Sequence, residues 1–109
     1  MEISFEDESI EDACRIPKLA KKALGAESAV KLQRRLTELF NAENVSELVA
    51  GRPHPLTRDR IGEFAMDLHG GKRIVFRPTT QPPPTKPDGS IDWKSVTKVT
   101  ITELGDYHD

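Results

Sequence analysis

The sequence predicts an α+β fold in which an N-terminal helical hairpin packs on a small, mainly antiparallel sheet. Apolar residues recur at three- and four-residue spacing through the first half of the chain. After Gly51 the repeat changes to every second residue. A Gly70-Gly71 pair then separates two alternating runs, as a hairpin turn requires.

Each element has its own signal. Glu2-Ile3-Ser4-Phe5 alternates polar and apolar and reads as a short first strand. Asp7 to Arg15 reads as one or two helical turns, with Ile10 and Ala13 three apart. Pro17 suits the first turn of the next helix, where its missing N–H costs little. Ile16, Leu19, Ala20, Ala23 and Leu24 form the apolar face, and Gly25 ends the helix as a left-handed cap. Ala29, Leu32, Leu36, Leu39 and Phe40 give the following helix its stripe, opposite Lys31, Arg34, Arg35 and Glu38. Asn44 and Ser46 are candidate caps for a short helix through Leu48 and Val49.

In the second half, Phe64, Met66 and Leu68 alternate with Glu63, Asp67 and His69. Arg73-Ile74-Val75-Phe76 is the return strand, with Arg73 and Arg77 on one face and Ile74 and Phe76 on the other. Residues 78–94 form a Pro-rich insert (Pro78, Pro82, Pro83, Pro84, Pro87), predicted to be extended with a turn at Asp88-Gly89. Trp93 is expected to anchor it to the sheet. Val96 to Leu104 is the last strand, rich in β-branched residues. Val99 and Ile101 mark its buried face, which simple alternation extends to Thr97 and Glu103.

A chain of 109 residues holds one core, so residues 1–109 are read as a single domain. The single cysteine, Cys14, has no partner for an internal disulfide. No apolar run approaches a membrane span and the acidic N-terminal stretch is unlike a signal peptide, so a cytoplasmic protein with no membrane partner is expected. The net charge of −2 is unevenly spread. Residues 1–13 carry six acids and no base, whereas residues 52–98 carry nine bases against five acids. A pI near 5.9 speaks against a general polyanion binder, but a local basic stripe still acts over about 8 Å at physiological salt.

Three segments carry chemistry. The stretch from Arg52 to Gly62 gathers His54 with Arg52, Arg58 and Arg60. Histidine moves protons near neutral pH, and arginine grips phosphate through two donors at once. Lys72-Arg73-Ile74-Val75-Phe76-Arg77 sets charge on one strand face. Asp106-Tyr107-His108 holds the only tyrosine and a second candidate histidine. Taken singly, each reads as a solvated basic loop, a half-exposed strand with snorkelling bases, or a polar tail. His69 reads as a polar turn residue, and the three histidines lack metal-ligand spacing.

Together, in order, His54-Pro55-Leu56 to Asp59-Arg60 and Gly62, Arg73-Ile74 to Phe76, and Asp106-Tyr107-His108 resemble the HigB killer toxins of the RelE/ParE superfamily. Lys31-Leu32-Gln33-Arg34-Arg35-Leu36 is similar as well, so the likeness spans nearly the whole chain. Asp88 to Trp93 is similar to a longer subgroup that carries a Pro-rich insert. The resemblance implies a RelE-like fold and a type II toxin–antitoxin toxin that cleaves mRNA on the ribosome. It implies metal-independent cleavage without a cofactor, by attack of the 2′-hydroxyl on the adjacent phosphate. It assigns His54 and His108 to proton transfer without ordering them, Arg73 to the charge on phosphorus and Tyr107 to stacking or positioning a base. It assigns RNA contacts to Arg52, Arg58, Arg60, Lys72, Arg77 and Asp106. The implied partners are a cognate antitoxin (HigA-like and DNA-binding), the ribosome and mRNA. Thr57-Arg58 stands where the family carries Lys-Gly, and Asp109 follows the usual terminal histidine. Those departures and the acidic pI favour a second reading, a non-catalytic ParE-like inhibitor or a degenerate toxin acting as a regulatory partner.

Overall fold

Local chemistry fixes the helix ends in the structure, a computed structural model that describes residues 1–106. Strand β1 (Glu2–Phe5) leads to α1 (Glu8–Arg15), α2 (Pro17–Leu24) and α3 (Ala26–Asn41). The Asp7 carboxylate accepts the Ile10 N–H at 2.9 Å and caps α1. That bond, with the Ser9 hydroxyl, holds the Asp7 carboxyl below its ordinary range. Pro17 opens α2, and Gly25, at φ +87°, closes α2 and leads into α3. Asn44 accepts the Ser46 N–H and caps a single 3₁₀ turn at Val45–Glu47, shorter than the helix expected through Val49.

Strands β2 (His54–Pro55), β3 (Phe64–Asp67), β4 (Lys72–Pro78) and β5 (Lys98–Asp106) complete the chain. They form one sheet with β1 in the order β1-β5-β4-β3-β2. Its pairings are antiparallel except β1 with β5, which is parallel. The sequence pattern therefore gives the mixed α+β class correctly. The helices cover one face. Ile10, Cys14, Ala20, Leu24, Leu32 and Leu39 pack there with Phe64, Met66, Ile74, Phe76, Val99 and Ile101. Burial pushes the Cys14 thiol up to about 11.

Two predicted helix faces are narrower than their sequence stripe. Leu39 is buried but Phe40 is 70% exposed, and Ala20 is buried while Leu19 is exposed. Neighbouring helical residues point about 100° apart, so only one of each pair faces the core. The insert is more ordered than an extended linker. Thr85 pairs with Ile91 around the Asp88-Gly89 turn, and Trp93 meets Phe64 edge-on at 4.8 Å. Trp93 thus anchors the insert, as the sequence suggests.

One irregularity matters for the site. Val75 pairs with Glu103, but Phe76 pairs with Ile101. Thr102 is the extra residue of a β-bulge. Beyond it the alternation reverses, so Leu104 instead of Glu103 packs against the core. Glu103 lies with Val75 on the opposite face, a correction to the face expected from simple alternation.

Phe76 is fully buried and stacks on Phe64 at 5.5 Å. Phe76→Ala is expected to lower stability by about 3–5 kcal/mol, read from the urea midpoint at unchanged slope. A loss under about 1 kcal/mol would contradict this placement of the core.

Candidate functional site

Because Ile74 and Phe76 face the helices, Arg73, Val75 and Arg77 face the other way. The register aligns side chains on that second face. One row runs His54, Ala65, Val75, Glu103 across β2, β3, β4 and β5. The next runs Asp67, Arg73, Gly105. His54 and Arg73 therefore share a face, two strands and one step apart, or roughly 10–12 Å between backbones.

His54 sits on a two-residue edge strand and is half-buried. Its ring Nδ1 lies 2.8 Å from the Arg52 carbonyl oxygen. A carbonyl only accepts, so Nδ1 carries the proton and neutral His54 keeps its lone pair on Nε2. Nε2 is buried and has no hydrogen-bond partner among the described residues. A buried ring nitrogen left without a partner costs about 1–3 kcal/mol, which marks the position for a functional reading.

The loop around His54 is conformationally constrained. Gly51 sits at φ +78°, where an L side chain is strained, and a Cβ there would crowd the Arg35 side chain at 2.7–3.0 Å and the Asp67 carbonyl at 3.2 Å. Arg52 and Arg58 follow at φ +48° and +59°, the non-glycine residues with positive φ among those described. Arg52 reaches across to Asp67 with two bonds of 2.9 and 3.3 Å. Arg73 is 2% exposed, so its guanidinium is buried in the face.

Arg60 and Glu63 build a second feature. Arg60 donates to both Glu63 oxygens, at 2.8 and 3.1 Å, and to Glu103 at 2.6 Å. Thr102 donates to Glu63 at 3.1 Å. These contacts span from the β2–β3 loop to β5. Arg60 holds the Glu63 carboxyl below the usual glutamate range, with help from Thr102 and the charge of Arg73. The two carboxylates raise Arg60 further in turn.

The structure thus gathers His54, Arg52, Arg73 and Arg77 on one sheet face. Arg77 reaches Glu6 at 3.4 Å. Arg60 is committed to two carboxylates, and Arg58 is exposed on the adjoining loop. Lys72 and Asp106 pair at 3.8 Å, and Lys72 belongs to the helix-facing register of β4. Tyr107 and His108 lie outside the described residues. His69 is tied to the first turn of α3, with its Nε2 at 3.0 Å from Glu27. Asp67, Glu63, Thr102 and Glu103 escaped the sequence reading. Only the placement of Asp67 opposite a basic return strand hinted at one of them. Among the described residues, no group of three or more His, Cys, Asp or Glu is placed to hold a metal ion. No helix among them is long and apolar enough to cross a membrane.

No protein-family model matches this sequence, and no curated protein matches it. The fold does have a counterpart. The structure is similar to the YoeB/ParE toxin from Agrobacterium tumefaciens, with a TM-score of 0.63 over 99% of this chain and 100% of that one. Sequence identity is 14%, so the likeness establishes a shared fold.

The depressed Glu63 carboxyl sets a pH dependence. A carboxyl lower in the folded than in the unfolded state adds stability above its unfolded value, and that stability disappears as pH falls through the folded one. Glu63→Gln is therefore expected to lower stability at neutral pH and to flatten the acid limb below about pH 4.3. Parallel acid limbs for variant and parent in urea titrations would contradict the Arg60–Glu63 pairing.

Proposed function

We propose that this chain is the toxin of a type II toxin–antitoxin pair and cleaves mRNA on the ribosome. The observation that carries the reading is His54, whose Nδ1 is bonded to the Arg52 carbonyl and whose Nε2 has no hydrogen-bond partner among the described residues. Arg73 on the same face and the fold shared with a YoeB/ParE toxin support it.

In this reading Nε2 of His54 takes the proton of the ribose 2′-hydroxyl. The 2′-oxygen attacks the adjacent phosphorus, and Arg73 stabilises the charge that develops on the phosphate oxygens. The bond to the 5′-oxygen breaks, leaving a 2′,3′-cyclic phosphate. His108 returns a proton to the leaving oxygen, and Tyr107 stacks on a base. No step requires a metal or a cofactor. Arg52, Arg58 and Arg77 contact the RNA backbone, and a HigA-like antitoxin covers the face between encounters. The protein acts in the cytoplasm, where its ribosomal target is.

A second reading keeps the fold without the chemistry: a ParE-like inhibitor, or a degenerate toxin that serves as a regulatory partner. What favours it is the ion pairing of this face. Arg52, Arg60 and Arg77 each meet a carboxylate of the same chain.

Expression without an antitoxin separates the readings. The nuclease reading predicts growth arrest with new, codon-phased mRNA 5′ ends, lost in His54→Ala and in Arg73→Ala. Arrest without cuts favours the inhibitor, and no arrest at good soluble yield favours the degenerate toxin. The pairing of Arg52 with Asp67 yields a further expectation. Asp67→Asn removes one carboxylate from Arg52 and is expected to tighten binding to mRNA-programmed ribosomes at low salt, less at high salt. Unchanged binding would mean that the Asp67 carboxylate does not compete with phosphate for Arg52.

A further inference from the structure

The geometry points to Arg60 as a positioning residue that clasps the His54 hairpin onto β5, with Glu103 as its anchor. It rests on the RNA-cleaving reading only for its kinetic consequence.

The edge strand that carries His54 is held unevenly. It pairs with β3 through His54 and Pro55, and proline has no N–H to give; upstream, the Asp67 N–H donates to the Gly51 carbonyl at 2.6 Å and Arg52 meets the Asp67 carboxylate. The loop that follows adds one bond to the β3 side, from the Leu56 N–H to the Glu63 carbonyl at 2.9 Å. The upstream end is therefore tied to β3, and it is the downstream loop, residues 56–62, that frays unless a further contact holds it.

Arg60 supplies that tie. Its guanidinium joins a carboxylate next in sequence to β3 and one on β5, so it crosses β4 at the level of Val75. Three charge-assisted bonds of 2.6–3.1 Å hold it. The β5 end exists because of the bulge. Thr102 takes the extra position, donates its hydroxyl to Glu63 and also reaches the Val75 carbonyl at 3.3 Å. The reversal that follows turns Glu103 out of the core and toward Arg60. Bulge, hydroxyl and carboxylate together build one receptor for one guanidinium.

This changes what Arg60 does. A guanidinium that already fills two carboxylates is a poor phosphate ligand. Holding the hairpin fixes His54 relative to Arg73, and a misplacement near 1 Å can cost a hundredfold in rate.

The decisive variant is Glu103→Ala, which cuts the tie to β5 and keeps the cation. Cleavage on mRNA-programmed ribosomes is measured for the parent, Glu103→Ala, Arg60→Ala and the double variant, across a salt series. As a clasp, Glu103→Ala and Arg60→Ala each lower the saturated rate about tenfold to a hundredfold. The half-saturating concentration and its salt slope stay at the parental values, and the double variant is no worse than Arg60→Ala. If Arg60 grips RNA instead, Arg60→Ala weakens binding and reduces the salt slope by roughly 0.7 per phosphate lost. Glu103→Ala then tightens binding, and the clasp is overturned. A parent that cuts nothing sinks the RNA reading, and amide exchange then decides the clasp alone. Faster exchange confined to residues 56–62 in Glu103→Ala supports it, and unchanged exchange overturns it.

Discussion

Strand β4 is bonded on both sides, to β3 and to β5, and its pleat divides the molecule into two chemical environments. Ile74 and Phe76 enter the helix-covered core, so Arg73 and Val75 must face the other way. A shift of one residue in that strand would drive a guanidinium into the core and expose a phenylalanine. The apolar packing of one face is thus what sets the charge of the other. The helices cover the opposite face, with Arg35 of α3 reaching Gly51 in the His54 loop, and they determine which side of the sheet carries the site.

On that second face the charges are organised in pairs. Arg52 lies against Asp67, Arg60 against Glu63 and Glu103, and Arg77 near Glu6. Such pairing accounts for a chain that is acidic overall yet carries a basic central segment. It also distinguishes this face from a general polyanion surface, which would leave its cations open to phosphate. An ordered array of partners gives geometry at the expense of field strength. In the proposed reaction the ribosome delivers the substrate, and positioning then matters more than long-range attraction.

Much of this was legible in the sequence because it depends on local rules. Asp7, Pro17, Gly25 and Asn44 mark helix ends by the bonds they make or lack. The alternation through Phe64, Met66 and Leu68 and the Gly70-Gly71 turn fix the central hairpin. Strand parity put Arg73 and Arg77 on one face, and the grouping of His54 with Arg73 came from the family likeness alone. What escaped depends on long-range registry. The bulge at Thr102 has no signature in Val99-Thr100-Ile101-Thr102, and it alone moves Glu103 to the site face. The contact of Arg60 with Glu103 joins residues 43 apart, beyond any periodicity. The same limit applied to Phe40 and Leu19, where the helix stripe gives the apolar residues but not the width of the surface that covers them.

In the proposed reaction this face breaks RNA through the neighbouring 2′-hydroxyl, with side chains alone moving the protons. The chemistry of the cut ends tests it most directly. mRNA-programmed ribosomes are incubated with the purified protein in excess chelator, and the 3′ termini of the fragments are analysed. That reaction leaves 2′,3′-cyclic phosphate termini. Fragments ending in a 3′-hydroxyl, or no fragments at all, would contradict it.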